Sequence, residues 1–157
     1  MQKRLISKLI AIASVTILVC DLASTALADS GAQPCSNRTL KGDYGFTIEG
    51  ILGIPGAQLP PGLGLTLRGV AMAHYDGSGN FTQVDHVVVA FTPASQDWTP
   101  GSGTYTVNPD CTGTAVLNSP EEPAPLALHF VIVKDGKEIR QVVDANAVIA
   151  VGEKIAD

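Results

Sequence analysis

Positive charge, aromatic rings and long apolar runs are all in short supply in this sequence, and each shortage closes off a class of function. Ten Lys and Arg stand against fifteen Asp and Glu in 157 residues, a formal net charge of −5. Proteins that bind nucleic acid or an anionic membrane surface use basic side chains to displace counterions, and no basic patch exists here, so neither partner is expected. Aromatic residues make up 5 % of the chain, and Trp98 is the single tryptophan. Neither Cys35 nor Cys111 belongs to a Cys-x-x-Cys pair or has a histidine within ten positions, so nothing marks a reactive thiol. No serine sits on a nucleophile elbow, no glycine-rich phosphate loop precedes a helix, and no two histidines fall at ligand spacing. Ser/His/Asp catalysis, nucleotide cofactors and a zinc site are therefore not indicated. No metal or other cofactor is expected, and catalytic residues stay unassigned.

The longest apolar run, Leu9–Val19, is too short for a retained anchor, which takes roughly 20 residues. Lys3, Arg4 and Lys8 flank it on one side, and small residues ending Ala26-Leu27-Ala28 follow it. This is the layout of a secretory signal peptide cut after Ala28. Cys20 offers a lipoprotein alternative, but Val19 precedes it where such signals need a small residue. Cleavage removes three of the ten basic residues and one of the fifteen acidic ones, leaving 129 residues with 7 basic against 14 acidic, net −7. That length suits one domain with a buried core. The expected organisation is a cleaved signal at 1–28, an N-terminal segment at 29–39 and a single β-barrel domain at 40–157. The mature protein is expected in the periplasm or outside the cell. There an oxidising environment makes a Cys35–Cys111 disulfide the default.

What the chain has in quantity is short runs of Val, Ile, Thr and aromatics, punctuated by Gly, Pro, Asn and Asp. That is an all-β pattern. Eight strands are expected, at Leu40–Leu52, Leu65–Asp76, Phe81–Phe91, Gly103–Asn108, Thr112–Asn118, Leu126–Lys134, Glu138–Asp144 and Ala147–Ile155. Tight hairpin signals at 76–80, 108–111 and 134–138 alternate with longer Pro/Gly-rich connections at 53–64, 92–102 and 118–125. In an antiparallel meander every tight turn then falls at one end and every long loop at the other. Closing the meander into a barrel removes both exposed edges, and a β-sandwich is the alternative. The disulfide would tie the N-terminal segment across the tight-turn end. The sixth strand, LALHFVIVK, is apolar on both faces, which suggests a covered exterior, for example a homo-oligomer.

One stretch, HYDGSGNFTQVDH at 74–86, has the look of a site. Asp76, Ser78 and Asn80 have the oxygen spacing of half a calcium loop, but Phe81 replaces the required glycine and Val87 the terminal glutamate. As a hairpin it has two registers. A three-residue loop with Gly79 left-handed pairs Asp76 with Asn80, His74 with Thr82 and His86 with Val70, holding the histidines roughly 13 Å apart on one face. A two-residue loop sends them to opposite faces. His129 reads as a histidine hydrogen-bonded on a sheet face. Polar residues inside strands, Glu49, Arg68, Asp85, Arg140 and Asp144, would need partners or a wet cavity if they pointed inward. Arg68 and Asp144 fall toward the long-loop end, where Leu59, Gln58, Asp97 and Trp98 join them. The ligand-binding candidates are therefore Arg68, Glu49, Trp98, Asp144 and Leu59.

The combination LKGDYGF (40–46), DGSGNF (76–81), GTYTVNPDCTGTAVL (103–117) and GKEIRQVV (136–143) resembles a group of small exported bacterial proteins of unassigned function. More distantly, the architecture is similar to calycin and allene-oxide-cyclase-like barrels. That resemblance implies a small-ligand binder or a cyclase, and no active-site motif carries over. Three functions follow as expectations: a binder of a small apolar molecule at the long-loop end, a cyclase-type enzyme, or an envelope or matrix interaction protein. An open lumen favours the first two, and a filled core the third.

Overall fold

The computed structural model describes residues 33–53, 60 and 63–156, so the signal segment 1–28 and the candidates Leu59 and Gln58 lie outside the described residues. The strands are β1 (Lys41–Leu52), β2 (Leu65–Asp76), β3 (Asn80–Val89), β4 (Thr92–Pro93), β5 (Thr99–Val107), β6 (Thr112–Asn118), β7 (Leu126–Val133), β8 (Glu138–Val143) and β9 (Ala147–Ala156). Every pairing is antiparallel. β1, β2, β3, β5, β6, β7, β8 and β9 pair in sequence, and β9 returns to β1 with Thr47 opposite Val151. The eight long strands thus form a closed up-and-down barrel, and β4 is a two-residue addition beside the end of β3. The sandwich alternative does not hold.

Most strand limits match the alternation in the sequence, with one instructive difference. β5 begins at Thr99, not Gly103, and Pro100 and Gly101 stand opposite Val84 and Gln83 in its ladder with β3. Pro and Gly there read as loop. The strand accommodates them because a Cβ on Gly101 would lie only 3.0 Å from the Leu117 side chain and 3.1 Å from Gln83. Backbone rather than side chain fills this part of the wall. The connection expected at 92–102 is correspondingly shorter, and it opens with a tight turn in which Ala90 and Phe91 both adopt positive φ, 47° and 68°.

The hairpin at 76–80 takes the three-residue register. Tyr75 faces Phe81, His74 faces Thr82 and Val70 faces His86. Gly77 and Gly79 have φ of 77° and 112°, which L side chains rarely tolerate. The Asp76 carboxylate accepts from the Ser78 and Asn80 backbone N–H groups and from the Asn80 side chain. These bonds, the Asn80 side chain's foremost, lower its pKa to about 2. The oxygens that resembled a calcium loop hold the turn.

Period-two alternation decides what points inward. Tyr44, Phe46 and Ile48 of β1 alternate with outward Asp43, Thr47 and Glu49, and Leu67, Ala71, Ala73 and Tyr75 of β2 alternate with Arg68, Val70, Met72 and His74. The interior is apolar, unlike the wet lumen of outer-membrane barrels, and the outer wall mixes polar with apolar residues. At the tight-turn end this interior is solid. Tyr75 stacks on Phe81 at 5.4 Å and meets Tyr44 and Tyr105 edge-on at 5.4 and 5.1 Å. Such pairs each add about 0.5–1.5 kcal/mol beyond their buried area. Phe46, Phe81 and Phe130 lie against glycines on neighbouring strands: a Cβ on Gly152, Gly103 or Gly113 would sit within 2.2–2.5 Å of the facing ring.

A short 3-10 helix, Asn37–Thr39, closes this end. Its Asn37 side chain accepts from Val107 N–H at 2.8 Å, and the Tyr105 hydroxyl donates to the carbonyls of Asn37 and Leu40, each at 3.0 Å. Tyr44 donates to the Gly136 carbonyl in the opposite turn. Leu40 and Ile139 are wholly buried. The disulfide links Cys35 to Cys111, fixing the segment across the base as the cysteine positions implied.

Candidate functional site

The aromatic core stops short of the long-loop end, and above it the barrel holds a cavity of about 630 Å³. An eight-stranded barrel has room for one small ligand, and ligand sites commonly measure roughly 300–1,000 Å³. The walls are inward residues of alternate parity: Ile48 from β1, Leu67 from β2, Val87 from β3, Leu117 from β6, Leu126 from β7 and Val143 from β8. Phe46 and Ala150 also line it, where it borders the packed interior.

Polar groups enter this apolar cup at a few places. On β3, Gln83 and Asp85 point inward below Val87 and Val89, and the Gln83 amide donates to Asp85 Oδ2 at 2.7 Å. Gln141 enters from β8. At the mouth the β6–β7 connection supplies Ser119, Glu121 and Glu122, and Ser95 of the β4–β5 connection donates to Glu121 Oε1 at 2.7 Å. That bond joins two lips of the cup.

Burial pushes the Asp85 carboxyl above the usual carboxylate range; the Gln83 hydrogen bond pulls it back, and the charge of Glu121 pushes it further up. Glu122 is raised as well, first by burial, then by Glu121 and Asp85. The three carboxyls therefore share one field. Among the described residues no Lys, Arg or His lines the cavity, and no three His, Cys, Asp or Glu lie close enough together to hold a metal ion.

The candidates singled out from the sequence lie elsewhere. Arg68 and Glu49 face each other across the β1–β2 ladder and form an ion pair on the outer wall. Asp144 bonds His129 at 2.7 Å on the outside of the barrel. Trp98 is 53 % exposed and sits edge-on to the His86 ring at 6.4 Å. None of these four lines the cavity, because strand parity turns Glu49 and Arg68 outward and because Asp144 and Trp98 sit beyond the inward faces. The other histidines are outward too, His74 on Asp43 at 2.6 Å and His86 on the Asp97 carbonyl at 2.7 Å. Of the strand-interior polar residues, Asp85 is the one aimed into the cup. Counting by twos inward from Phe81 reaches Gln83 and Asp85, so the pattern held this information. Glu121 and Glu122 sit in a loop where no periodicity operates.

The outer wall exposes two groups of apolar residues, Val70, Met72 and Val84 on β2–β3 and Val131, Val142, Ile149 and Val151 on β7–β9, together with Val116 on β6 and Ile155 near the end of β9. The second group borders a shallow depression that includes His129 and Arg140.

The fold and site together define a small closed antiparallel barrel, plugged at one end and cupped at the other, consistent with a calycin-like architecture. No protein-family model matches the chain, and no curated protein matches it. Among the described residues, no helix is long and apolar enough to cross a membrane.

Proposed function

We propose that this is an exported β-barrel protein that binds one small, largely apolar molecule in the cup at its long-loop end. The cavity carries the reading: about 630 Å³ lined by Ile48, Leu67, Val87, Leu117, Leu126 and Val143, adjoining a core otherwise packed with aromatics. The disulfide supports export, since such bonds persist in oxidising compartments. Native mass spectrometry of protein purified from its own host is the test. The expected spectrum shows a mature chain starting at Asp29 and a noncovalent small molecule. In a homologous series of alcohols, each methylene added should tighten binding by about 0.8 kcal/mol, about fourfold, until the cup is full. Affinity independent of chain length overturns the reading.

A cyclase-type enzyme is the second reading, favoured by one observation: Asp85 is a carboxyl with a raised pKa inside an apolar cavity, the setting of a general acid. Here the barrel holds a reactive polyene or epoxide folded while Asp85 positions a proton. The two readings separate by product: a binder returns its ligand unchanged after denaturation, and an enzyme returns an isomer of equal mass and different retention.

A further inference from the structure

We propose that the cup selects a cationic amphiphile, an apolar molecule with a protonated primary amine whose head is held by Asp85 with Glu121 and Glu122 while its hydrocarbon part lies along Ile48, Leu67, Leu117 and Leu126. This deepens the binder reading and rests on it.

The first support is the sign of the site. All three ionisable residues lining the cavity are acidic, and among the described residues no basic side chain lines it. A fatty acid or phosphate ester would bring a like charge into a low-dielectric space, whereas an ammonium supplies the missing counter-charge.

The second support is acceptors left unused. Gln83 satisfies Oδ2 of Asp85, and no described residue donates to Oδ1. Thr99 stands directly across from Asp85 in the β3–β5 ladder, so both side chains project to the inward face. Thr99 is wholly buried, and its hydroxyl is the one buried side-chain polar atom without a hydrogen-bond partner among the described residues. Thr99 does not line the cavity, so the group open to a ligand here is the Asp85 carboxylate. An ammonium has three N–H donors to offer that carboxylate. A metal ion fits less well, because no three carboxyl or imidazole groups converge. A quaternary ammonium also fits less well: it has no N–H, and the described lining offers one aromatic ring, Phe46, where cages for such heads use several.

The test uses the mature protein and four probes at neutral pH below their micelle concentrations: decylamine, decyltrimethylammonium, decanol and decanoate. Each displaces N-phenyl-1-naphthylamine from the cup. Decylamine should bind about tenfold or more tighter than decanol, decyltrimethylammonium between them, and decanoate weakest. Asp85→Asn should bring the decylamine-to-decanol ratio to within about twofold of one. Glu153→Gln, a charge removal on the outer wall, should leave that ratio intact and so exclude a net-charge effect. Decanoate binding as tightly as decylamine, or a full ratio in Asp85→Asn, overturns the proposal. If decanol binds and the amine gains nothing, the head-group assignment falls and the apolar binder stands. If none of the four displaces the dye, both fall.

Discussion

Asp85 shows how one residue can be poor for stability and useful for a site. Its carboxyl gives up its proton less readily in the folded chain than in the unfolded one, where the pKa is near 3.9. Stability is therefore full below the unfolded value and falls as pH rises through the folded one. Ionising the carboxyl leaves a partly desolvated negative charge with one protein hydrogen bond, from Gln83. Asp85→Asn removes the charge and retains an acceptor for Gln83. We expect this variant to melt higher than the parent at pH 7, with the advantage shrinking toward pH 3, as followed by thermal unfolding across pH. A variant that melts lower at pH 7 would show that the carboxylate is already compensated. Asp76, Asp110 and Glu138 have lowered pKa values, set by hydrogen bonds from Asn80, Thr112 and Lys134 respectively, and so push stability the other way, weakening the fold as pH falls through their folded values. What hid Asp85 in the sequence is that a charge on a strand has no face until the register is known. Arg68 and Glu49 look equally inward-capable until Tyr44 and Leu67 fix the parity.

At the level of strands and turns, the sequence is far more legible. Turn chemistry is local, since Asp76, Gly77, Gly79 and Asn80 need no distant partner to reverse the chain, but two registers fit the sequence and the β2–β3 ladder selects the three-residue one. Strand alternation is local too. The start of β5 was not, because Pro100 and Gly101 face β3 and β6 residues that the local sequence does not reveal, while Gly103 and Gly113 lie against the rings of Phe81 and Phe130. The same dependence makes these glycines sensitive. A methyl on Gly113 would sit 2.2 Å from the Phe130 ring and 2.6 Å from the Thr106 carbonyl, so both the ring and the neighbouring backbone must give way. Overpacking of this kind typically costs about 1–3 kcal/mol. Gly113→Ala should therefore lower the unfolding free energy by about that amount, read as a lower urea midpoint at unchanged slope. Gly53, whose added Cβ meets nothing within 4 Å, is the matched control expected to show no overpacking loss on change to alanine.

For the whole molecule, the disulfide and the N-terminal segment act together as a closure. The bond spans 76 residues in sequence, and in the chain-entropy model closing such a loop stabilises by roughly 4 kcal/mol. The barrel itself contributes no covalent link between its first and last strands; β1 and β9 meet only through their ladder. Replacing Cys35 and Cys111 by serine should lower unfolding free energy by roughly 4 kcal/mol, read by extrapolating denaturant unfolding to water, with a steeper slope because the uncrosslinked unfolded chain exposes more surface. Hydrogen exchange should quicken first at Val107, whose N–H is held by Asn37 of the clamped segment. A loss below about 1 kcal/mol would mean that Tyr105 and Asn37 hold the base without the bond.

The direction of the chain through this plug also fixes how the molecule can be held. β1 leaves the plugged base and β9 returns to it, so residues 33 and 156 emerge at the same end, opposite the cup. Tethered by either terminus to a resin, a sensor chip or a partner domain, the protein presents its open mouth to the surrounding solution.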